Sequence, residues 1–524
     1  MERSIHKSQS HIHGGFLIPG YPLVGNTFQV LNNPSKTFMD WCTKYKHNTF
    51  VIHLGSIPVV IVNSRKDIEY IWSHHPTSLN SRPALHTFHH LISATQGPTI
   101  GTTPAGASFR RKRKFLSLCL SAQSLSTENY VSAIEKCSEY VIGNLLTLSE
   151  SAHVPFPDVS LLRDFQCYVL RCAIMLTYGI CLDTQGKDNF LADKIIQTEN
   201  HIINFRSYIS NYQDYLPILR LCPFSNFFQS EARIWKSERD EYINYFQSEF
   251  EKGLQNNNLS QSDSILAKIL SQRSNAKTLT HQEARSICLT MISAGLDNLG
   301  YTMNYIIGQF SSSRRGYRMQ EKLFHELLAK SDNNIIQAWN DSVLKIDCDL
   351  ALAIIQEALR NFSVLPLGLP RLKTKPLRLG NLTIPKDTVL FMNVFSANHD
   401  PQYFSSPNYF NPQRWLDEEG KLKGRDSVTH YTFGLGSRKC AGDQLSLREM
   451  YSLLCRIVLT FHIGKPRNKK WNMEPDAFRS NLNPAATSIE PKEFRISLRT
   501  RQSEGLDELH LFCGCKEKPQ NKSH

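Results

Sequence analysis

Apolar residues recur at helical spacing along most of the chain between residues 126 and 362, and no other feature limits the fold so tightly. The stretches are Ser126–Ser149, Leu161–Leu182, Glu231–Leu254, Thr280–Phe310, Tyr317–Lys330 and Ile346–Phe362. Repetition at i, i+3, i+4 and i+7 puts the apolar side chains on one helix face, which must then be buried against neighbours. A further helix is expected from about Asp443 to Thr460. Strand signals stand apart from this pattern. Thr49–Gly55 and Pro58–Asn63 flank a short turn, and Leu377–Leu390 contains the turn pair Gly380-Asn381. The first 80 residues otherwise alternate short β-rich runs with turns. The expectation is a mainly α protein with a small β-rich region. At 524 residues and 41% hydrophobic content the chain can bury a large core. Without a linker-like composition shift or an internal repeat to divide it, one large unit is expected, followed by a polar tail.

The formal charge of +13 invites nucleic acid, an anionic membrane or an acidic partner. The densest basic run, Phe109-Arg-Arg-Lys-Arg-Lys-Phe115, is a weak nucleic-acid signal, and zinc-finger and basic-zipper spacings are absent. No nucleic-acid partner is expected. Thirteen cysteines, an odd number in a long chain without a secretory signal, read as buried reduced thiols; Cys119 and Cys181 sit in apolar surroundings. Cys513 and Cys515 form a lone pair in the tail with no assigned role. The polar first 17 residues carry no evident membrane anchor, and no uninterrupted apolar stretch is long enough to span a bilayer. The greasy segment Tyr215–Phe228 suits either a membrane-surface contact or a core-facing loop.

One cysteine keeps different company. Cys440 lies in Phe433-Gly-Leu-Gly-Ser-Arg-Lys-Cys440-Ala-Gly442, just before the expected last helix. Gly434 and Gly436 allow a tight turn and close approach of backbone to a ligand, and Gly442 relieves crowding after the cysteine. The helix N-terminus favours a thiolate. Arg438 offers a fork for a carboxylate, and Phe433 a flat apolar wall. A thiolate, a carboxylate-binding arginine and close backbone approach together suit an iron porphyrin with propionates. Zinc would require three further ligands at spacings this chain lacks, and a cysteine nucleophile would require a nearby histidine base.

This segment resembles the haem-binding signature FxxGxRxCxG of the cytochrome P450 family at every fixed position. Three further motifs follow the family in order. Glu357-Ala-Leu-Arg360 is similar to its ExxR, and Phe410-Asn-Pro-Gln-Arg414-Trp415 to its FxPERF, with Gln for Glu and Trp for the last Phe. Ala294-Gly295-Leu-Asp297-Asn298 resembles its oxygen-site motif (A/G)Gx(D/E)T, with Asn298 in place of Thr. The resemblance covers residues 18–500 and implies the mainly α P450 fold, haem b as cofactor and Cys440 as the axial iron ligand. It makes 1–17 a polar N-terminal segment and 501–524 a polar tail.

By the same resemblance, Glu357, Arg360 and Arg414 form a structural ion-pair cluster. Arg113 (the family's WxxxR, with Phe109 for Trp), Arg371 and Arg438 bind propionates. The remaining charges of the basic run face an electron donor. Gly295 makes room for dioxygen and weakens its helix by about 1 kcal/mol relative to Ala. Asp297 joins a proton relay. Asn298 departs from the pattern, because an amide donates hydrogen bonds but carries protons poorly.

Ser81–His90 and Thr95–Thr103 resemble the fungal phenylacetate hydroxylases. That branch makes His86, Phe88 and His89 substrate-contact candidates. The implied activity is a monooxygenase using O2 and electrons from an NADPH–cytochrome P450 reductase or similar donor. It would oxidise a small aromatic acid or an amino-acid-derived secondary metabolite. Oxidation of a cyclic dipeptide such as cyclo(Leu-Leu) to a pulcherriminic-acid-type iron chelator is one alternative, and a haem-thiolate isomerase or dehydratase needing no reductase is another. The implied location is cytoplasmic, or peripheral on the cytoplasmic face of the endoplasmic reticulum, with membrane contact but no span.

Overall fold

The computed structural model describes residues 12–151, 157–182, 187–221, 224–256, 258–271, 279–424 and 427–502. The helices that build the site are, in chain order, α1 (Ala107–Cys119), α2 (Glu128–Ser151), α3 (Leu162–Tyr178), α4 (Lys187–Ile202), α5 (Phe224–Gln255), α6 (His281–Ser312), α7 (Asp349–Phe362) and α8 (Asp443–Thr460). The strands are β1 (Thr49–Leu54), β2 (Ile57–Val62), β3 (Asp158–Val159), β4 (Arg371–Leu372), β5 (Leu377–Leu379), β6 (Leu382–Ile384), β7 (Val389–Met392), β8 (Phe461–Gly464) and β9 (Ile496–Thr500).

Helix α6 runs through the centre and packs along α3. It begins at a capping box, in which Thr280 Oγ1 accepts from the Glu283 N–H at 3.2 Å and a Glu283 carboxylate oxygen accepts from the Thr280 N–H at 3.0 Å. Most of its side chains are buried, as a helix covered on all sides requires. Helix α3 ends where Gly179 takes a left-handed conformation, φ 68°.

The main sheet has the order β1-β2-β7-β4. Its β1–β2 hairpin joins β7 in parallel, Val59 opposite Val389. A bridge from Ser81 to Leu372 ties the segment before His86 to β4, so residues 291 positions apart become neighbours. The β5–β6 hairpin turns at Gly380-Asn381 as expected.

The sequence pattern misjudged two regions. The first 80 residues hold two helices, Pro34–Tyr45 and Arg65–His74, besides strands. The first starts with proline at its opening turn, and the second is capped by Ser64, whose Oγ accepts from the Asp67 N–H. Helix α1 escaped the periodicity because a lysine occupies one of its core positions, Lys112 being buried between Phe109 and Phe115. Among the described residues no cysteine is disulfide-bonded; most are buried, but Cys181 is exposed. Cys513 and Cys515 lie outside the described residues.

Candidate functional site

The Cys440 loop folds as a compact turn. Gly434 (φ 73°) and Gly436 (φ 65°) both sit in the left-handed region, which other residues rarely adopt. At Gly436 space is decisive as well, since a Cβ there would lie 2.4 Å from the carbonyl oxygen of Trp72. The Cys440 N–H donates to Phe433 O at 2.8 Å, closing the loop beneath the thiol. Gly442 behaves otherwise than expected. A Cβ on it would meet Leu120 Cδ1 at 3.8 Å and Cys440 Sγ at 4.0 Å, which are ordinary contacts. Its place is the N-cap of α8. The Cys440 side chain is exposed although protein surrounds it, so it faces an internal space. Burial pushes the thiol up, against the lowering effects of the Gly442 N–H, Arg113 and Lys439.

Four guanidiniums gather beside this loop. Arg438 donates to the carbonyls of Asn80 (2.7 Å) and Thr103 (2.8 Å), and its Cζ stands 3.4 Å from the Phe109 ring centroid. Arg371, on β4, donates to Leu79 O (3.0 Å) and Leu435 O (2.9 Å). Arg82 donates to the carbonyls of Gly101, Leu369 and Pro370. Arg113 stands on α1, close enough to Cys440 for the two charges to interact. Burial and mutual repulsion press Arg371 and Arg438 down to about 9. Among the described residues the carboxylate that bears on this group is Asp443, beside Arg113. So much buried positive charge, offset almost entirely by neutral carbonyls, is the donor set for a ligand bearing two carboxylates. The described residues contain no cluster of three or more His, Cys, Asp or Glu fit to hold a bare metal ion. A thiol ligand under four guanidiniums therefore fits iron carried in a propionate-bearing macrocycle. Arg82 was missed in the sequence because its neighbours come from residues 101, 369 and 370.

The basic run on α1 is mostly engaged in structure. Arg111 makes a two-pronged pair with Glu283, at 2.7 and 3.1 Å, and ties α1 to the start of α6. Lys112 Nζ donates to Thr103 Oγ1 (2.7 Å), Ser286 Oγ (2.8 Å) and Pro98 O (3.2 Å). Arg110 and Lys114 are the exposed members, so the expectation that all the run's charges other than Arg113 face a donor is corrected for Lys112, which is buried.

On α6, Ala294 and Asn298 are exposed in a stretch whose other side chains are largely buried. One helical turn apart, they share a face. The Asn298 amide is folded back, Nδ2 donating to Ala294 O at 2.8 Å. The missing Cβ of Gly295 points elsewhere: the one heavy atom it would meet is Val169 Cγ1, at 2.7 Å. Gly295 thus admits close packing of α3 on α6, and the helix runs through it unbroken. Asp297 is buried beside Tyr301, with Arg206, Glu199 and Glu490 nearby, and burial pushes its carboxyl up to about 7. Behind it lies a charged cluster that the sequence did not reveal. Glu199 on α4 accepts from Arg239 Nε (2.7 Å) and Nη2 (2.6 Å), from Tyr242 (2.8 Å) and, at 3.3 Å, from Arg206.

Glu357 and Arg360 meet on α7 through two 2.8 Å hydrogen bonds, both side chains wholly buried. Arg414 Nε reaches the same carboxylate at 3.1 Å. Trp415 adds an indole N–H at 2.9 Å, which a phenylalanine lacks. Gln413 is exposed, so its departure from Glu leaves this cluster untouched.

The substrate candidates fare unevenly. Phe88 is fully buried, with the Arg206 guanidinium 5.4 Å from its ring centroid. Both ring nitrogens of His89 are spent on the fold: Nδ1 accepts from the Leu85 N–H at 2.9 Å and Nε2 meets Thr102 O at 3.0 Å. That arrangement braces the segment and leaves His89 no nitrogen for a ligand. His86 is half-buried; its N–H donates to Asp214 Oδ1 at 2.6 Å and its ring lies beside His90.

A family model described as Cytochrome P450 matches residues 17–488. The phenylacetate 2-hydroxylase of Emericella nidulans is 32% identical over 485 residues, covering 92% of this chain and 90% of that protein. The 3-hydroxyphenylacetate 6-hydroxylase of the same organism is 30% identical over 483 residues, covering 92% and 88%. A cytochrome P450 monooxygenase of Mycosarcoma maydis is 29% identical over 492 residues, covering 92% and 86%.

Proposed function

The chain belongs to the cytochrome P450 family and is a haem b monooxygenase, and from that premise we propose that it oxidises a small, ring-bearing organic substrate, a phenylacetate-like acid being the first choice. The observation that carries this reading is the pair of arylacetate hydroxylases that match nearly the whole chain. Haem, once bound, supplies the activation of dioxygen. The chain's own residues then have distinct tasks. Cys440 would hold the iron, and Arg82, Arg113, Arg371 and Arg438 would receive the propionates. Ala294 and Asn298 face the reacting side. Asp297 exchanges a proton at its carboxyl near neutral pH, where such a group works best. Electrons come from a separate reductase-type donor.

A second reading, a cyclic dipeptide of the cyclo(Leu-Leu) type, is favoured by Asn298. One N–H of its amide is donated to Ala294 O, and an amide carries protons poorly, so a polar group on the substrate would take the place of the usual hydroxyl. No described helix is long and apolar enough to cross a membrane. Attachment to a membrane surface is the location we propose. Leu17, Tyr21, Leu23, Phe28 and Ile218 are exposed, and the Gly55 turn joins the Val24 backbone to Leu216.

The deciding experiment titrates haem-loaded ferric protein with phenylacetate and with cyclo(Leu-Leu), watching the haem absorption band. A saturable shift with one ligand selects that substrate class, and turnover with reductase, NADPH and O2 completes the assignment. Cys440→Ala is expected to abolish turnover; normal turnover in that variant overturns the haem-thiolate reading.

A further inference from the structure

Arg206 is one of several arginines, Arg285 and Arg448 among them, whose Nε is buried with no hydrogen-bond partner among the described residues. It ends a short helical turn, Ile203–Arg206, that continues from α4. Its side chain is 13% exposed and lines a cleft with Tyr208, Leu367, Phe391, Ser488 and Ile489. Among the described residues its one hydrogen-bond partner is Glu199, reached by Nη2 at the long distance of 3.3 Å. Nε is buried with no partner among the described residues, and Nη1 makes no hydrogen bond to one. Glu199 has little need of it, since Arg239 grips that carboxylate with two short bonds and Tyr242 with a third. A guanidinium with a buried Nε–H left unpaired and Nη1 uncommitted at a cleft has donors to spare for an acceptor.

The position suits recognition of a substrate. The cleft is also lined by Pro366, Gly368 and Pro370, the loop leading into Arg371 of the propionate group. On its other side Arg206 acts electrostatically on Asp297, which follows Ala294 by three residues on α6. The cleft therefore borders the loop before Arg371, and through Arg206 it is coupled electrostatically to Asp297. Phe88 packs under the guanidinium and braces it, while Tyr208 and Phe391 are the aromatic walls of the cleft itself. An arginine fork over an aromatic wall is suited to a ligand that joins an apolar body to a planar oxygen group.

We propose that Arg206 is a specificity-determining residue that donates from Nε and Nη1 to an oxygen acceptor on the substrate, a carboxylate or a lactam carbonyl. The proposal rests on the monooxygenase reading above and adds the group by which the substrate is held. Glu199 and Arg239 act through Arg206, fixing its place.

The test uses the full-length haem-loaded protein as wild type, Arg206→Met and Arg206→Lys. Each is titrated with phenylacetate, with cyclo(Leu-Leu) and with ethylbenzene, a similar ring without oxygen, and the haem band is followed. Arg206→Met is expected to weaken the oxygenated ligand that wild type binds by tenfold or more, as loss of a hydrogen bond from a charged donor implies, and to leave ethylbenzene within twofold. Loss in the phenylacetate arm with partial rescue by Arg206→Lys identifies a carboxylate; loss in the cyclo(Leu-Leu) arm identifies a carbonyl. An Arg206→Met protein that binds the oxygenated ligand within twofold of wild type overturns the proposal alone. Equal losses for ethylbenzene and the oxygenated ligand also overturn it, because they mean a structural brace. Wild type that binds ethylbenzene but neither oxygenated ligand overturns both this proposal and the substrate reading on which it rests.

Discussion

Glu357→Gln keeps the size of the side chain and removes its charge, at the most densely bonded carboxylate near the site. In the native protein Oε1 accepts from Arg360 Nη2, the Asn411 N–H and Arg414 Nε, while Oε2 accepts from Arg360 Nε and Trp415 Nε1. Glutamine has one acceptor oxygen. If that oxygen keeps the Oε1 place, its NH2 group faces Arg360 Nε and Trp415 Nε1, donor against donor. Two guanidiniums then remain without an anion, and Arg360 is wholly buried. Removing one partner of a buried pair costs about 3–5 kcal/mol. Trp415→Phe calibrates the scale: it deletes one donor but leaves Oε2 with Arg360, for about 1 kcal/mol. The assay is urea unfolding of haem-loaded protein, followed by the haem band and by far-ultraviolet circular dichroism. Midpoints are the quantity to compare, since a chain of this size need not unfold in two states. The expected order of stability is wild type, then Trp415→Phe, then Glu357→Gln, with the last retaining haem poorly. A Glu357→Gln protein that unfolds within about 1 kcal/mol of wild type and retains haem normally would refute the reasoning.

Gly436→Ala places a methyl 2.4 Å from Trp72 O at φ 65°, so the haem-to-protein absorbance ratio of the purified variant should collapse; Gly442→Ala meets ordinary contacts and should match wild type by circular dichroism. The reverse order would remove the steric account of this loop. Asp297 holds its proton up to about pH 7 in the folded chain, whereas an unfolded aspartate releases it near about 3.9. Folding therefore favours the protonated form, and this group's contribution to stability falls as pH rises from about 4 to 7. Asp297→Asn should flatten that part of the stability profile, read as urea midpoints at pH 5 and pH 7, and should erase any limb of the pH–rate profile near 7. Asn298→Thr should change the ratio of product formed to NADPH consumed; an unchanged ratio means that the amide at this position has no part in proton delivery.

Much of the candidate site was legible because its motifs are contiguous. The Cys440 loop, Glu357 with Arg360, and the Ala294–Asn298 turn each lie within one loop or helix, where spacing along the chain nearly fixes spacing in space. The helical stretches were legible for the same reason, and the ends of α6 and α7 fall within a few residues of the expected positions. Readings failed where a single side chain or hydrogen atom had to be aimed. Gly295 was assigned to the reacting side, but its missing Cβ faces Val169. His89 was a substrate candidate, but both its nitrogens serve the backbone. Lys112 was counted as surface charge, but it is buried among three oxygen acceptors.

The sequence by itself determined the helical class, the thiol with its glycine turn, and the local pairs that share one helix face, because these depend on a period or on a few adjacent torsions. Tertiary structure alone decided which charges meet. It brought Arg82 beside Arg371 across the Ser81–Leu372 bridge, and Glu199 and Arg206 together with Arg239 and Asp297 from three separate segments. The physical reason is that the interaction of two charges depends on their distance and on the water excluded between them. Packing sets both, whatever their separation along the chain.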